Sequence, residues 1–69
     1  MAIFEIDIAT KERILKERIA QFNMEGYQHE LNKLTAEAIG NAQAVAEADQ
    51  AIATIQTAIQ VAQNELGNI

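Results

Sequence analysis

The spacing of the apolar residues is the feature that most limits how this chain can fold. From residue 24 to the end, apolar residues recur at steps of three and four in alternation, with one polar exception. Such spacing places them on one face of an α-helix. The 69-residue sequence also contains no proline, so nothing in it interrupts a helix at a fixed point. The sequence therefore predicts an all-α protein. The positions of this long stripe are Met24, Tyr27, Leu31, Leu34, Ala38, Asn41, Val45, Ala48, Ile52, Ile55, Ile59, Ala62, Leu66 and Ile69.

A shorter apolar stripe lies nearer the N-terminus. It comprises Ile8, Leu15, Ile19 and Phe22, with Gly26 in line with them. At 100° per residue, this stripe lies about 130° around the helix from the longer one. We therefore expect either that the two halves of the first helix bury different faces, or that the chain bends within residues 23–26. Both alternatives imply more than one packing surface.

The dipeptide Gly40-Asn41 is the strongest turn signal in the sequence. Glycine suits the left-handed residue that ends a helix, and asparagine is a favoured N-cap for the next one. A continuous helix is the alternative, since the three-four spacing passes through residue 41 without a break, and Asn41 would then be a buried residue that fixes the register of an oligomer. We predict the turn, and with it a long antiparallel helical hairpin.

The hairpin makes the whole chain, residues 1–69, a single helical domain. Helix A is predicted to cover about 9–39 and helix B about 42–67. Residues 1–8 are predicted to form an extended arm, because Phe4, Ile6 and Ile8 alternate with two acidic residues in the pattern typical of a strand. The arm is either a lead-in, with Asp7 or Thr10 capping helix A, or a segment that pairs with a neighbouring chain.

Charge is distributed unevenly along the chain. Every lysine and arginine precedes residue 34, and the second half carries only Glu37, Glu47, Asp49 and Glu65. A helix surface that faces only water usually carries many charges of both signs. We therefore expect helix B to pack against other helices on more than one side, and helix A to be the helix that faces water.

The heptad pattern of helix B favours an assembly of several helices. Its a and d positions are mostly isoleucine and alanine, and isoleucine at both favours bundles of three or more helices over parallel dimers. Its g positions are Ala44, Ala51 and Ala58, whose small side chains allow a neighbouring helix to approach closely. We predict a homo-oligomeric helical bundle. Its predicted interface comprises Val45, Ala48, Ala51, Ile52, Ile55, Ile59, Ala62 and Leu66.

The small size of the chain points to the same conclusion. A domain of this length rarely gains more than about 3–5 kcal/mol from its own core, and usually needs additional stabilisation. The sequence has no cysteine and only one histidine, His29, which excludes a disulfide framework, a cysteine zinc site and a histidine cage. Association with another copy or a larger partner is the remaining source of stability.

Several functional classes are disfavoured by composition. The net charge of −5 opposes nucleic-acid binding, which depends on lysine and arginine neutralising phosphates. No apolar run approaches the ~20 residues that cross a bilayer, and acidic residues stand where a signal peptide needs basic ones. We therefore expect no nucleic-acid or membrane partner, and a cytoplasmic location, or a virion if the protein is phage-encoded.

Residues suited to catalysis are scarce. The chain has no serine or cysteine, and its threonines are expected to be ordinary helix residues. His29 with Glu30 could contribute to a metal site only through symmetric copies, so a solvated surface histidine is the preferred interpretation. The acidic residues are too sparse for a mimic of nucleic acid. We predict a non-enzymatic protein without a cofactor.

The remaining apolar residues suggest a contact for a larger protein. Phe22, Met24 and Tyr27 form the main aromatic and flexible cluster, and Phe4 and Ile6 lie on the N-terminal arm. Core packing is the default role of the cluster, but aromatic residues and methionine are also enriched in binding patches. These five residues are the candidate partner contact.

In composition, residues 27–66 resemble the short helical proteins that bacteriophages encode: acidic, with heptads of alanine, glutamine and isoleucine. This resemblance implies a virion accessory, an assembly factor or an inhibitor of a host complex. The expected function is therefore a protein–protein interaction and assembly module. The alternative is a small inhibitor or adaptor that docks on a larger host enzyme or complex.

Overall fold

The computed structural model describes residues 5–69 and contains two long helices. Helix α1 spans Ile8–Ala38 and helix α2 spans Ala42–Gly67. They pack against each other as an antiparallel hairpin of 50 × 17 × 17 Å. Residues 5–69 contain no strand. The predicted all-α hairpin and its turn at Gly40-Asn41 are therefore confirmed.

The turn is built from the last residues of α1 and the first of α2. The amide of Gly40 donates to the carbonyl of Glu37, and the amide of Asn41 donates to the carbonyl of Ala36 at 2.9 Å. This pair of hydrogen bonds is the Schellman motif, which requires the left-handed conformation that Gly40 adopts at φ 72°. The Asn41 side chain then accepts a hydrogen bond from the Ala44 amide and caps α2. Two adjacent residues thus provide hydrogen-bond partners for two carbonyls at the end of α1 and for one amide at the start of α2.

The N-terminus of α1 begins at Ile8, one residue earlier than predicted. Asp7 precedes it in an extended conformation and holds the N-cap position, and its carbonyl accepts from the Lys11 amide at 3.0 Å. A hydrogen bond from the Thr10 side chain lowers the pKa of the Asp7 carboxyl below its ordinary value of 3.8. The first part of the predicted arm, including Phe4, lies outside the described residues.

One continuous face of α1 packs on α2. The shorter stripe of Leu15, Ile19, Phe22 and Gly26 supplies its first part, and the same spacing continues through residues 29, 33 and 36. Helix α1 runs through residues 23–26 without interruption. The two halves of α1 therefore do not turn different faces towards α2. Instead, the apolar residues of the longer stripe in α1 lie on the outside of the hairpin.

The core between the helices is thin. The buried hydrophobic residues among those described are three alanines, Ala36, Ala48 and Ala62, with exposed fractions of 3%, 6% and 4%. No large side chain in residues 5–69 is fully buried. Two helices alone cannot surround an isoleucine or a phenylalanine, so each large residue of the interface keeps one flank in contact with solvent.

Gly26 is a site where the hairpin can be stabilised. A Cβ atom at this position would lie 3.6 Å from Cγ2 of Ile55, which is ordinary van der Waals contact. Because glycine inside a helix costs about 1 kcal/mol relative to alanine, we expect Gly26→Ala to raise the free energy of unfolding by about 0.5–1 kcal/mol. Urea titration followed by circular dichroism measures the change.

Gly40→Ala is the matched control, because it makes the same chemical change at a left-handed residue. Its expected effect is a loss of roughly 1–2 kcal/mol. If Gly26→Ala also destabilises the protein, the helices approach each other more closely at this point than the Gly26–Ile55 geometry indicates.

Candidate functional site

The predicted oligomer interface lies mainly between the two helices of one chain. Its eight residues are buried or half-buried on the side of α2 that faces α1. The register is fixed by Ile55, which lies level with Gly26, and by Asp49, which lies level with Lys33. The surface available to another molecule is therefore the uncovered flank of this interface and the outer faces of the helices.

One edge of the hairpin is lined by small residues, as the heptad pattern predicts. Ala44, Ala51 and Ala58 are half-buried, and each lines a groove between α1 and α2 on the same edge. Towards the turn, this edge forms two adjoining grooves of about 320 and 530 Å³, both lined by His29, Glu47 and Ala51. We refer to this side of the hairpin as the alanine edge.

A larger and more apolar groove lies on the alanine edge near the open end of the hairpin. Its volume is about 620 Å³. Ile14 and Val61 flank it with exposed fractions of 39% and 63%, so both present apolar surface to solvent. We call it the open-end groove. Its lining residues are Ile14, Leu15, Arg18, Phe22, Ala58, Val61, Ala62 and Glu65.

A second apolar surface runs along the outside of α1. It consists of Met24, Tyr27, Leu31 and Leu34, whose exposed fractions are 61%, 60%, 44% and 62%. These residues are the part of the longer sequence stripe that precedes the turn. We call them the outer stripe. The sequence predicted that this part of the stripe would be buried as a packing face of helix A, whereas within the single hairpin its four large apolar side chains are exposed.

The residues of the candidate partner contact do not form one surface. Ile6 is exposed just before α1, whereas Phe22 is half-buried between the helices. Met24 and Tyr27 belong to the outer stripe. Phe22 and Tyr27 do line one shared groove of about 260 Å³, on the edge opposite the alanine edge. The candidate contact is therefore divided among the lead-in, the interhelical space and the outer face.

The last positive charge of the chain links the two helices. The Nζ atom of Lys33 lies 2.7 Å from Oδ1 of Asp49. This hydrogen bond, together with the charge of Asp49, raises the pKa of Lys33 above its ordinary value of 10.5. The nearby Glu37 and Glu30 act in the same direction. Lys33 therefore connects the helices while its ammonium group remains in contact with water.

The raised pKa of Lys33 predicts how stability changes with pH. Because the folded chain holds this proton more tightly than the unfolded chain, the contribution is complete below pH 10.5 and is lost as pH rises through the folded pKa. We expect Lys33→Met to remove this part of the decrease in the free energy of unfolding at alkaline pH. Urea midpoints of both proteins between pH 9 and pH 12 measure it, and identical pH profiles for the two would contradict the prediction.

The described residues contain few groups arranged for chemistry. Three threonines, Thr35, Thr54 and Thr57, each donate a hydrogen bond to the backbone carbonyl four residues earlier. His29, which was expected to be a solvated helix-surface histidine, is half-buried and lines both turn-end grooves of the alanine edge. Within residues 5–69, no three histidine or acidic side chains are grouped closely enough to hold a metal ion. Neither described helix is both long and apolar enough to cross a membrane.

Fold and surface together define an all-α helical hairpin with two uncovered apolar surfaces. No protein-family model, curated protein or solved structure matches the chain. Sequence reasoning did not single out Ile14 and Val61, which flank the open-end groove. Val61 is at a c position of the α2 heptad, and Ile14 lies outside both apolar stripes of the sequence. The only signal of each was an apolar side chain at a position that is normally polar.

Proposed function

We propose that the protein is a non-enzymatic assembly module that forms a homo-oligomeric helical bundle. The observation that supports this proposal most is the absence of a fully buried large side chain anywhere in residues 5–69. Isoleucines at 52, 55 and 59 are only half-buried against α1. Further helices packed along the hairpin would cover their remaining flanks and supply the stability that so small a core lacks.

The exposed area of the chain supports the same proposal. A compact monomer of 7.6 kDa is expected to expose roughly 4,300 Å². The single chain exposes 5355 Å², about 1,000 Å² more. A stable protein–protein interface buries about 800 Å² on each partner. The excess is therefore of the size that one further copy would remove from solvent.

Within this proposal, the protein acts by binding itself and then a larger structure. Its composition, which resembles that of short helical phage proteins, favours a virion accessory or an assembly factor, working in the cytoplasm or the virion. This role needs no cofactor, nucleic acid or membrane.

Multi-angle light scattering over a concentration series tests the proposal. We expect a discrete species with at least twice the chain mass of 7.6 kDa at micromolar concentrations. A monomer that persists up to millimolar concentration would refute the homo-oligomer. Lys16→Glu, on the exposed part of α1, is a suitable control variant that should leave the mass unchanged.

A second function, an adaptor or inhibitor that docks on a larger protein, is favoured by the outer stripe. Met24, Tyr27, Leu31 and Leu34 form a row at helical spacing on one face, the usual pattern of a helix that binds in a groove. Such a partner would be captured from extracts of the source cells by the wild-type chain and lost with Leu34→Lys. Gln60→Lys, on the exposed side of α2, is the matched control. Equal capture by all three proteins would exclude the outer stripe as the contact.

A further inference from the structure

The alanine edge combines an apolar groove with an uneven distribution of charge. Ile14 and Val61 expose apolar surface on both sides of the open-end groove, and Phe22 lies at its floor. Arg18 and Glu65 line the half of this edge near the open end. Lys11 lies seven residues before Arg18, on the same face of α1, which gives this half a net charge of +1. The half near the turn carries Glu25 and Glu47, a net charge of −2 with His29 neutral.

This distribution favours a particular occupant, a second copy of the chain in the opposite direction. An antiparallel copy places the positive half of one edge over the negative half of the other. A parallel copy sets the two acidic turn ends against each other, and like charges across an interface are unfavourable. The excess exposed area described above matches what one such copy would bury.

The register of the two copies follows from Arg18 and Glu25, two charged residues seven positions apart on the alanine edge of α1. A two-fold axis that passes between Gln21 and Phe22 brings Arg18 of each copy opposite Glu25 of the other, because both residues lie equally far from that point. The axis is close to the middle of Ile8–Ala38, so the two α1 helices overlap along nearly their whole length. On α2 the same axis lies between residues 59 and 60, so the two α2 helices overlap from about residue 52 to Gly67. On α2, the same axis brings Ala58 and Val61 of both copies together at the open-end groove.

We propose that two hairpins associate in an antiparallel manner through the alanine edge, with Arg18 of each chain paired to Glu25 of the second copy. The proposal rests on the homo-oligomeric function proposed above and assigns its surface, direction and register. The outer stripe remains uncovered in this dimer, since it lies on the outside of α1 and away from the alanine edge. One edge then serves self-association while the other surface stays available to a larger partner.

Distances between spin labels test the direction of the two chains. The chain has no cysteine, so single variants Gln43→Cys near the turn and Asn64→Cys near the open end can be labelled cleanly. Both residues are exposed on the outside of α2. At about 1.5 Å per residue, the antiparallel dimer gives a separation of roughly 50 Å for the label at residue 43 and about 15 Å for that at residue 64. A parallel dimer gives nearly equal distances at the two sites.

Charge reversal tests the register. Arg18→Glu places two glutamates opposite each other at two symmetric positions, so we expect the dissociation constant of the dimer to rise about tenfold or more. The double variant Arg18→Glu/Glu25→Arg restores the pairing and should return it to within about threefold of wild type. Arg13→Glu, on the outside of α1, is the matched control with little expected effect. If Arg18→Glu is rescued by Glu65→Arg instead, the parallel arrangement is correct.

The possible outcomes separate this inference from the function on which it rests. A wild-type chain that stays monomeric refutes both. A dimer with nearly equal label distances, or one in which Glu25→Arg does not rescue Arg18→Glu, refutes the antiparallel edge while leaving homo-oligomerisation intact. Unequal distances together with rescue by Glu25→Arg support the proposed dimer.

Discussion

Replacing Ile55 with aspartate is expected to unfold the protein. Ile55 lies near the middle of α2, half-buried against α1, and its Cγ2 atom faces the backbone of Gly26. The variant loses an apolar contact and places a carboxylate between two helices with no positive charge at that level. An unpaired charge in such a position costs several kcal/mol, which is comparable to the whole stability of so small a core.

Circular dichroism measures the effect of Ile55→Asp directly. We expect the far-ultraviolet helix signal to fall to that of a largely unfolded chain at concentrations where the wild type is helical. Ala53→Asp is the control, because it introduces the same side chain two residues away at an exposed position. Ile55→Val should keep the fold and lose only about 0.5–1.5 kcal/mol. A helical and assembled Ile55→Asp variant would show that the long stripe does not form the core.

Replacing Ala51 with glutamate is expected to weaken assembly at least tenfold without preventing the chain from forming helices. Ala51 is half-buried and lines both turn-end grooves of the alanine edge, beside Glu47 and close to Glu25. A glutamate here adds both volume and a third negative charge to a surface that a second helix must approach closely. Alanine and glutamate have similar helix propensities, so the substitution has little direct effect on α2.

Sedimentation equilibrium of Ala51→Glu measures the loss of assembly. We expect the dissociation constant to rise at least tenfold, since the added carboxylate must be desolvated and its volume accommodated on a surface that is packed closely as alanine. Ala46→Glu, exposed on the other side of α2, should associate like the wild type. If Ala51→Glu associates as tightly as that control, the g-position alanines are only solvent-exposed helix formers and the interface lies elsewhere.

The turn and α2 were predictable from sequence because local chemistry determines them. Glycine and asparagine at 40 and 41 each satisfy a backbone requirement of their own helix end. The heptad of α2 placed the eight predicted interface residues on one face, which the structure turns towards α1. These features depend on nearest neighbours along the chain and on the 3.6-residue period, both of which are visible in a single sequence.

The packing face of α1 was not predictable in the same way. Its second half continues towards α2 through His29, Lys33 and Ala36, whereas the apolar pattern follows Met24, Tyr27 and the leucines of the outer stripe. Because α1 is uninterrupted, the face that Leu15, Ile19 and Phe22 turn towards α2 continues along the second half of the helix. An ion pair at Lys33–Asp49 and a small alanine make this polar half of the interface possible. The displaced apolar side chains became exposed surface as a result.

The concentration dependence of thermal unfolding tests most directly whether the hairpin completes its core by binding further copies. Circular dichroism melts of the wild-type chain, from about 1 μM to about 1 mM, measure it, because a folded chain that binds further copies gains stability with concentration. We expect the melting temperature to rise steadily across this range. A melting temperature that is the same at every concentration would show that further copies add no stability to the hairpin and would contradict the proposed assembly.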